Sequence, residues 1–286
     1  MARLDKRNVT RYWWDRQVPG LSLLHADFTA HDYPAHAHDA FVIAVTELGG
    51  ARIRSRRIEA AVGSATLFIS NPGEPQSTTM GDSRRWRYRS IYLARPAIDA
   101  LARDLGIADV PYFTRNMLDD NELIGGFAEL HRALAADEDS LRAHELIVAT
   151  FAELFRRYGS GGGRVEPAPR DRKLADKIIE VMRARHSDSL RLDELAAIAG
   201  LTSFQLLGLF KRAVGLTPHA YLIKVRLAVA CRYLRRGYPL AQSALAAGFC
   251  DQSALNKHFK RWYAITPSQF AEAARSARPR GEAARQ

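Results

Sequence analysis

Cysteine is nearly absent from this chain: Cys231 and Cys250 are the only two in 286 residues, and neither falls in the first 230. That excludes a disulfide framework, a cysteine zinc site and, in the N-terminal half, a nucleophilic thiol. Both cysteines read as buried small apolar residues. Long apolar runs are missing as well, since none approaches the roughly 20 residues that span a bilayer. The opening MARLDKRNVTRYWWD has no signal-peptide core, so a cytoplasmic chain without a membrane partner is expected. Excess charge is absent from most of the length. Residues 1–170 hold 22 Lys+Arg against 22 Asp+Glu, whereas residues 171–286 hold 20 against 9, so the whole net charge of +11 lies in the last part. A basic module joined to a neutral one is the electrostatic footprint of a phosphate-binding domain attached to something else.

With 47% apolar and 26% charged residues, the composition is that of a globular protein, and the length suits two domains. The basic part repeats itself. Residues 196–222 read AAIAGLTSFQLLGLFKRAVGLTPHAYL and residues 244–271 read ALAAGFCDQSALNKHFKRWYAITPSQFA. Each copy has Ala-x-x-Ala-Gly, then Phe-Lys-Arg, then Thr-Pro. Small alanines allow close helix approach, and the glycine ends the helix in a left-handed conformation. A second helix then starts at Thr202, which forms a capping-box pattern with Gln205, or at Asp251, a good N-cap. Leu206 and Phe210, like Leu255 and Phe259, are spaced i, i+4 and anchor one face, leaving the other for DNA. Each copy is thus a helix-turn-helix. Between them, PHAYLIKVRLAVACRYLRRG has proline at its first helical position and glycine after its last, giving a rod of about 27 Å that sets two recognition helices on one duplex. Ahead of both, Leu174, Ile178, Val181 and Met182 share a helical face.

The N-terminal half shows short apolar runs broken by turns: LSLLHADF, HDAFVIAVTE, Gly49-Gly50, ATLFIS, Asn71-Pro72-Gly73 and WRYRSIYLA. That spacing predicts a small antiparallel barrel or sandwich. Helical patterns follow at 119–136 and 140–158, a surface suited to dimerisation. Trp86, Tyr88 and Ser90 share one face of their strand and Arg85, Arg87 and Arg89 the other. Which face points inward is open. The sequence therefore divides into 1–158, a flexible linker at 159–170, a helical DNA-binding domain at 171–275 and a disordered tail at 276–286.

The tandem pattern LDELAAIAG, LFKRAVGLTPHAYL, ALAAGF and FKRWYAITPSQF resembles the double helix-turn-helix domain of AraC-type transcriptional regulators. PAHAHDAF and the NPGEP turn resemble the cupin-like effector domain that many of them carry, and together these imply an α+β chain. The resemblance places DNA-contacting side chains at Phe204, Leu207 and Gly208, with Lys211 and Arg212, in the first unit. In the second it places them at Gln252, Ser253, Asn256 and Lys257, with Lys260 and Arg261. Leu207 and Gly208 depart from a family pattern that often has a polar residue and an arginine there. The first helix then either reads thymine methyls or mainly positions the protein.

In the barrel, His36, His38, Phe41, Trp86 and Tyr88 are the candidates to line an effector pocket; the alternative is that the aromatics simply fill a closed core. A cupin enzyme carrying a DNA-binding tail is the rival reading. It would need a third histidine where Gln76 stands, and no glutamate follows His38 at the usual interval, so no metal, cofactor or catalytic residue is assigned. An alkyl-transfer repair regulator would need cysteines in the N-terminal half. The resemblance implies an operator in double-stranded DNA, a small-molecule effector, a homodimer and, for an activator, RNA polymerase as partners.

Overall fold

In a computed structural model, residues 8–55, 58–64, 66–80, 82–136, 139–161, 169, 172–263 and 265–276 are described, excepting the side chains of 273–276. Most of the expected linker and nearly all of the expected tail lie outside them. The chain forms two compact units that divide at about residue 168. In the first, strands β1 (Val9–Trp14), β2 (Leu21–Phe28), β3 (Tyr33–His36), β4 (Ala40–Gly49), β5 (Ala51–Ser55), β6 (Ile58–Val62), β7 (Leu67–Ser70), β8 (Gln76–Thr79) and β9 (Trp86–Ala94) lead into helix α1 (Arg95–Leu105). Strand β10 (Met117–Leu118) and helices α2 (Asn121–Ala135) and α3 (Ser140–Tyr158) complete it.

The strands make a six-stranded sheet in the order β1-β2-β9-β4-β7-β10 and a four-stranded sheet in the order β3-β8-β5-β6. The central strands of the large sheet are covered on both faces. Leu24, Ala26, Phe28, Trp86 and Tyr88 turn toward the small sheet, where Ile53, Val62 and Met80 meet them in one core. By register the other face holds Leu23, Ile43, Val45, Ile91 and Leu93, and α2 covers part of it through Phe127 and His131, which share a small cavity with Ile43, Val45 and Ile91. This settles the open question about β9: the aromatic face is inward, and the arginine face lies on the side of the helices. Burial on both faces is also why β4 reads as a continuous apolar run rather than an alternation. The bend from β4 to β5 needs glycine at 49, where φ is +71° and a Cβ would fall 1.7 Å from the Arg85 carbonyl oxygen.

Glu74 and His131 are each buried within a polar network. Glu74 accepts hydrogen bonds from Ser55 Oγ (2.7 Å), Asn116 Nδ2 (2.8 Å) and the side-chain and backbone amides of Asn71 (2.9 and 3.1 Å). Burial pushes its pKa up, but these donors outweigh it and hold the carboxyl below its ordinary range. On the helical side, His131 Nε2 lies 3.1 Å from the Leu24 carbonyl, which only accepts, so that nitrogen carries the proton and Nδ1 accepts from Arg89 at 3.2 Å. Arg89 also pairs with Glu47 at 2.5 Å. Burial, then the Arg89 charge, push the His131 pKa down to about 4.

The second unit is helical: α4 (Arg172–Ala184), α5 (Leu192–Ala199), α6 (Ser203–Ala213), α7 (Pro218–Arg236), α8 (Leu240–Ala246), α9 (Gln252–Tyr263) and α10 (Pro267–Ser276). The local signals act as read. Thr202 and Gln205 exchange side-chain-to-backbone bonds at 3.1 and 3.2 Å, Asp251 Oδ1 accepts from Ala254 N at 2.7 Å, and Gly200 closes α5 at φ 67°. Leu206, Phe210, Leu255 and Phe259 are fully buried. At 19 residues α7 is about 28 Å long. One expectation fails: Cys231 is buried, but Cys250 is exposed in the turn before α9. Among the described residues no single helix is long and apolar enough to cross a membrane.

Candidate nucleic-acid interface and effector barrel

Each helix-turn-helix exposes a different chemistry. On α9, Gln252, Ser253, Lys257, Lys260 and Arg261 are exposed and Asn256 is half-buried. By helical spacing Ser253, Lys257, Lys260 and Arg261 point away from Leu255 and Phe259, Asn256 flanks them, and Gln252, in the first turn, lies on the side of those two anchors. On α6, Phe204, Leu207 and Gly208 are half-buried, and Lys211 and Arg212 are exposed near its C-terminal end. Arg212 is partly engaged within its own unit, since Nη2 donates to the Pro169 carbonyl at 3.0 Å. The α9 face carries amide, hydroxyl and ammonium groups that match base edges, and the reading face of α6 is almost entirely carbon. A feature the sequence reading passed over is a second capping box: Thr266 N donates to Gln269 Oε1 at 2.8 Å and Gln269 N to Thr266 Oγ1 at 3.1 Å, starting α10. The Thr-x-x-Gln spacing was its signal.

In the barrel, His36 and His38 come together. His36 Nδ1 lies 2.7 Å from the Pro34 carbonyl, which only accepts, so that nitrogen carries a proton; His36 Nε2 and His38 Nε2 are hydrogen-bonded at 3.1 Å. Burial and then the neighbouring His36 lower the His38 pKa. Gln76 pairs in register with His36, is buried, and its Oε1 has no hydrogen-bond partner among the described residues. Rings continue outward from His38 to Tyr92 (5.3 Å between centroids), from Tyr92 to Tyr12 (6.1 Å) and from Tyr12 to Trp14 (5.7 Å). Tyr92 could have been found by extending the Trp86, Tyr88, Ser90 alternation by one step. Tyr12 and Trp14 could not, because their place depends on the pairing of β1 with β2.

The other three candidates do not stand with the histidines as open lining. Trp86 and Tyr88 stack at 4.2 Å, Trp86 Nε1 donates to Thr46 Oγ1 at 3.1 Å, and the Tyr88 hydroxyl meets that of Tyr33 at 2.8 Å. Their polar atoms are satisfied and their rings are core. Burial raises the pKa of both tyrosines. Phe41 lies on the opposite face of the large sheet: it pairs in register with Leu93, and its ring meets Phe113 edge-on at 5.8 Å. An odd position on β4 faces the helical side, which alternation alone could not reveal in a strand buried on both faces.

Comparison with known proteins follows the same division. A model of the AraC-like ligand binding domain matches residues 18–155, and a helix-turn-helix domain model matches residues 195–273. The chain is 28% identical over 222 residues to YbfI, an uncharacterized HTH-type transcriptional regulator of Bacillus subtilis, which is 77% of this chain and 80% of that one. It is 37% identical over 78 residues to the probable transcriptional regulator LumQ of Photobacterium leiognathi, 27% of this chain and 32% of that one. Among solved structures, the DNA-binding domain of AdpA in complex with a target DNA matches at 28% identity over 38% of this chain and 97% of that one, with a TM-score of 0.35. YbfI and LumQ are named as regulators, and the enzyme alternative finds no support in them or in the two domain models. Carrying both domains in this order, the chain belongs to the AraC-type DNA-binding transcriptional regulators.

Proposed function

We propose that the chain is a cytoplasmic, homodimeric activator that reads a two-box operator with residues 171–275 and senses a small-molecule effector with residues 1–158. The exposed polar face of α9 carries the DNA reading: Gln252, Ser253, Asn256 and Lys257 address base edges, and Lys260 and Arg261 the phosphates. On α6, Phe204, Leu207 and Gly208 contact thymine methyls or backbone, with Lys211 and Arg212 toward phosphate. RNA polymerase is the further partner of an activator. The effector site is the end of the barrel where His36, His38, Gln76 and Tyr92 meet, and the support for it is the buried Gln76 oxygen, a polar atom that a bound molecule with a donor group would satisfy. An effector that binds one arrangement of the dimer better than another then shifts how the two DNA-binding domains are presented.

The test pairs His36→Ala with His38→Ala in the full chain. Once an inducing compound is found, induction in a reporter strain should fall while the melting transition stays close to that of the parent. A collapsed transition without a specific loss of induction would make the two imidazoles structural instead.

A further inference from the structure

We infer that Arg226, together with Gly248, is the positioning residue that fixes the second helix-turn-helix relative to the first, and so sets the one operator spacing the protein accepts. The inference rests on the two-box reading above but concerns spacing, not base identity.

Arg226 sits midway along α7 and is 5% exposed. Its Nε donates to the His186 carbonyl at 2.7 Å and its Nη2 to the Asp188 carbonyl at 2.9 Å. Those carbonyls belong to the turn beyond α4, a segment of the first half. The turn is itself held: Asp188 N donates to the Arg185 carbonyl at 3.0 Å, and the Arg185 and Asp188 side chains pair at 2.8 Å. The second half reaches the same point from the other side. Gly248 lies in the turn that leads into α9, and a Cβ there would fall 2.6 Å from the His186 carbonyl oxygen, 2.7 Å from Ser187 Cα and 3.0 Å from Arg226 Nε.

A planar guanidinium donating along two directions, set against a rigid turn with bare backbone on the far side, specifies position in a way that an apolar contact does not. The cores on either side are otherwise organised separately. Phe210 of α6 meets Tyr221 in the first part of α7, whereas Ile223, Leu227, Ala230 and Leu234 join Leu255 and Phe259 of α9 in the second core. The α4 turn is where the backbone of one half bears directly on the backbone of the other. Four residues after Gly248, α9 begins.

The experiment uses the full chain. Duplexes with a randomised central region are selected for binding, and the spacing between the two recovered boxes is compared for the parent, Arg226→Lys and Gly248→Ala. The parent should recover one spacing. Both variants should recover the same boxes with spacings spread by at least one base pair in each direction. In parallel, spin labels on the exposed Cys250 and on Glu180→Cys of α4 report the distance between halves in the free protein, and its distribution should widen about twofold in Arg226→Lys and shift in Gly248→Ala. A single unchanged spacing with an unchanged distribution overturns the inference. So does loss of one box's sequence preference at a constant spacing, because that places Arg226 in base reading. If Arg226→Lys does not fold, Gly248→Ala alone decides by the same two readouts.

Discussion

The two units place their charge in opposite ways. In the β-rich unit a few titratable groups are drawn inward: Glu74 and His131 are buried among donors and acceptors, and the half-buried Arg89 links His131 to the exposed Glu47. In the helical unit Arg226 and His219 are buried, and most of the basic excess stands on the surface. Interior charge is screened little and answers to pH, while surface charge answers to ionic strength. One chain can thus be tuned by two solution variables acting on different halves.

Salt should break the comparison most strongly. Binding of the full chain to its selected duplex, followed by fluorescence anisotropy, should weaken about a thousandfold between roughly 50 and 200 mM salt if six or more phosphates are contacted. A nearly flat dependence would remove the surface-charge side of the contrast.

Acid should act on the other half. The folded pKa of His131, about 4, lies below its ordinary 6.5, so between those values the unfolded chain takes up a proton that the folded chain refuses. The stabilisation is therefore complete above pH 6.5 and is lost as pH falls toward 4, by up to about 3 kcal/mol at 1.36 kcal/mol per unit. Burial lowers the His25 and His38 pKa values too, so they act in the same direction. Urea unfolding from pH 7.5 to 4.5 should show this slope, and His131→Gln should flatten it; an equal slope in both proteins would show that the titration lies elsewhere.

A finer test sits within the helical unit. Lys257→Ala should relax base preference in the second box by about 1 to 3 kcal/mol, and Leu207→Ala should cost less and mainly at a thymine in the first. Binding to a selected site with every base substituted in turn would show it. Equal stringency of the two boxes would refute the asymmetry between α6 and α9. The smallest effect expected is that of Asp251→Ala, which removes the cap on α9 and should lower stability by about 1 kcal/mol in thermal melting, without changing which bases are preferred.

The helical unit was legible because its signals are local. A cap, a glycine and an i, i+4 pair are read within a dozen residues, and Thr202, Gln205, Gly200, Asp251, Leu206 and Phe210 all behave as those signals imply. In the barrel, β2 and β9 were legible to the residue, and α2 and α3 to within two. The strand β1, the β5–β6 hairpin and α1 were not singled out. The short α1 has Pro96 in its first turn and follows β9 without a break, so no loop signal marks its start. The inward face of β9 and the place of Phe41 depend on cross-strand register and on which helix covers the sheet, both set by partners distant in sequence. Arg226 was invisible for the same reason: its acceptors lie about 40 residues away.

The buried Glu74 network has a bearing on when the protein can be made, as distinct from how stable it is. Its donors come from Ser55, Asn71 and Asn116, and the Asn71 side chain also bonds the backbone of Phe113. As the chain emerges from the ribosome, the carboxylate appears more than 40 residues before its last donor, and until then it is a charge that water must solvate. The first unit therefore cannot close its interior until residue 116 has left the exit tunnel. The helical unit that follows, built largely from neighbouring segments, can fold nearly as fast as it is synthesised.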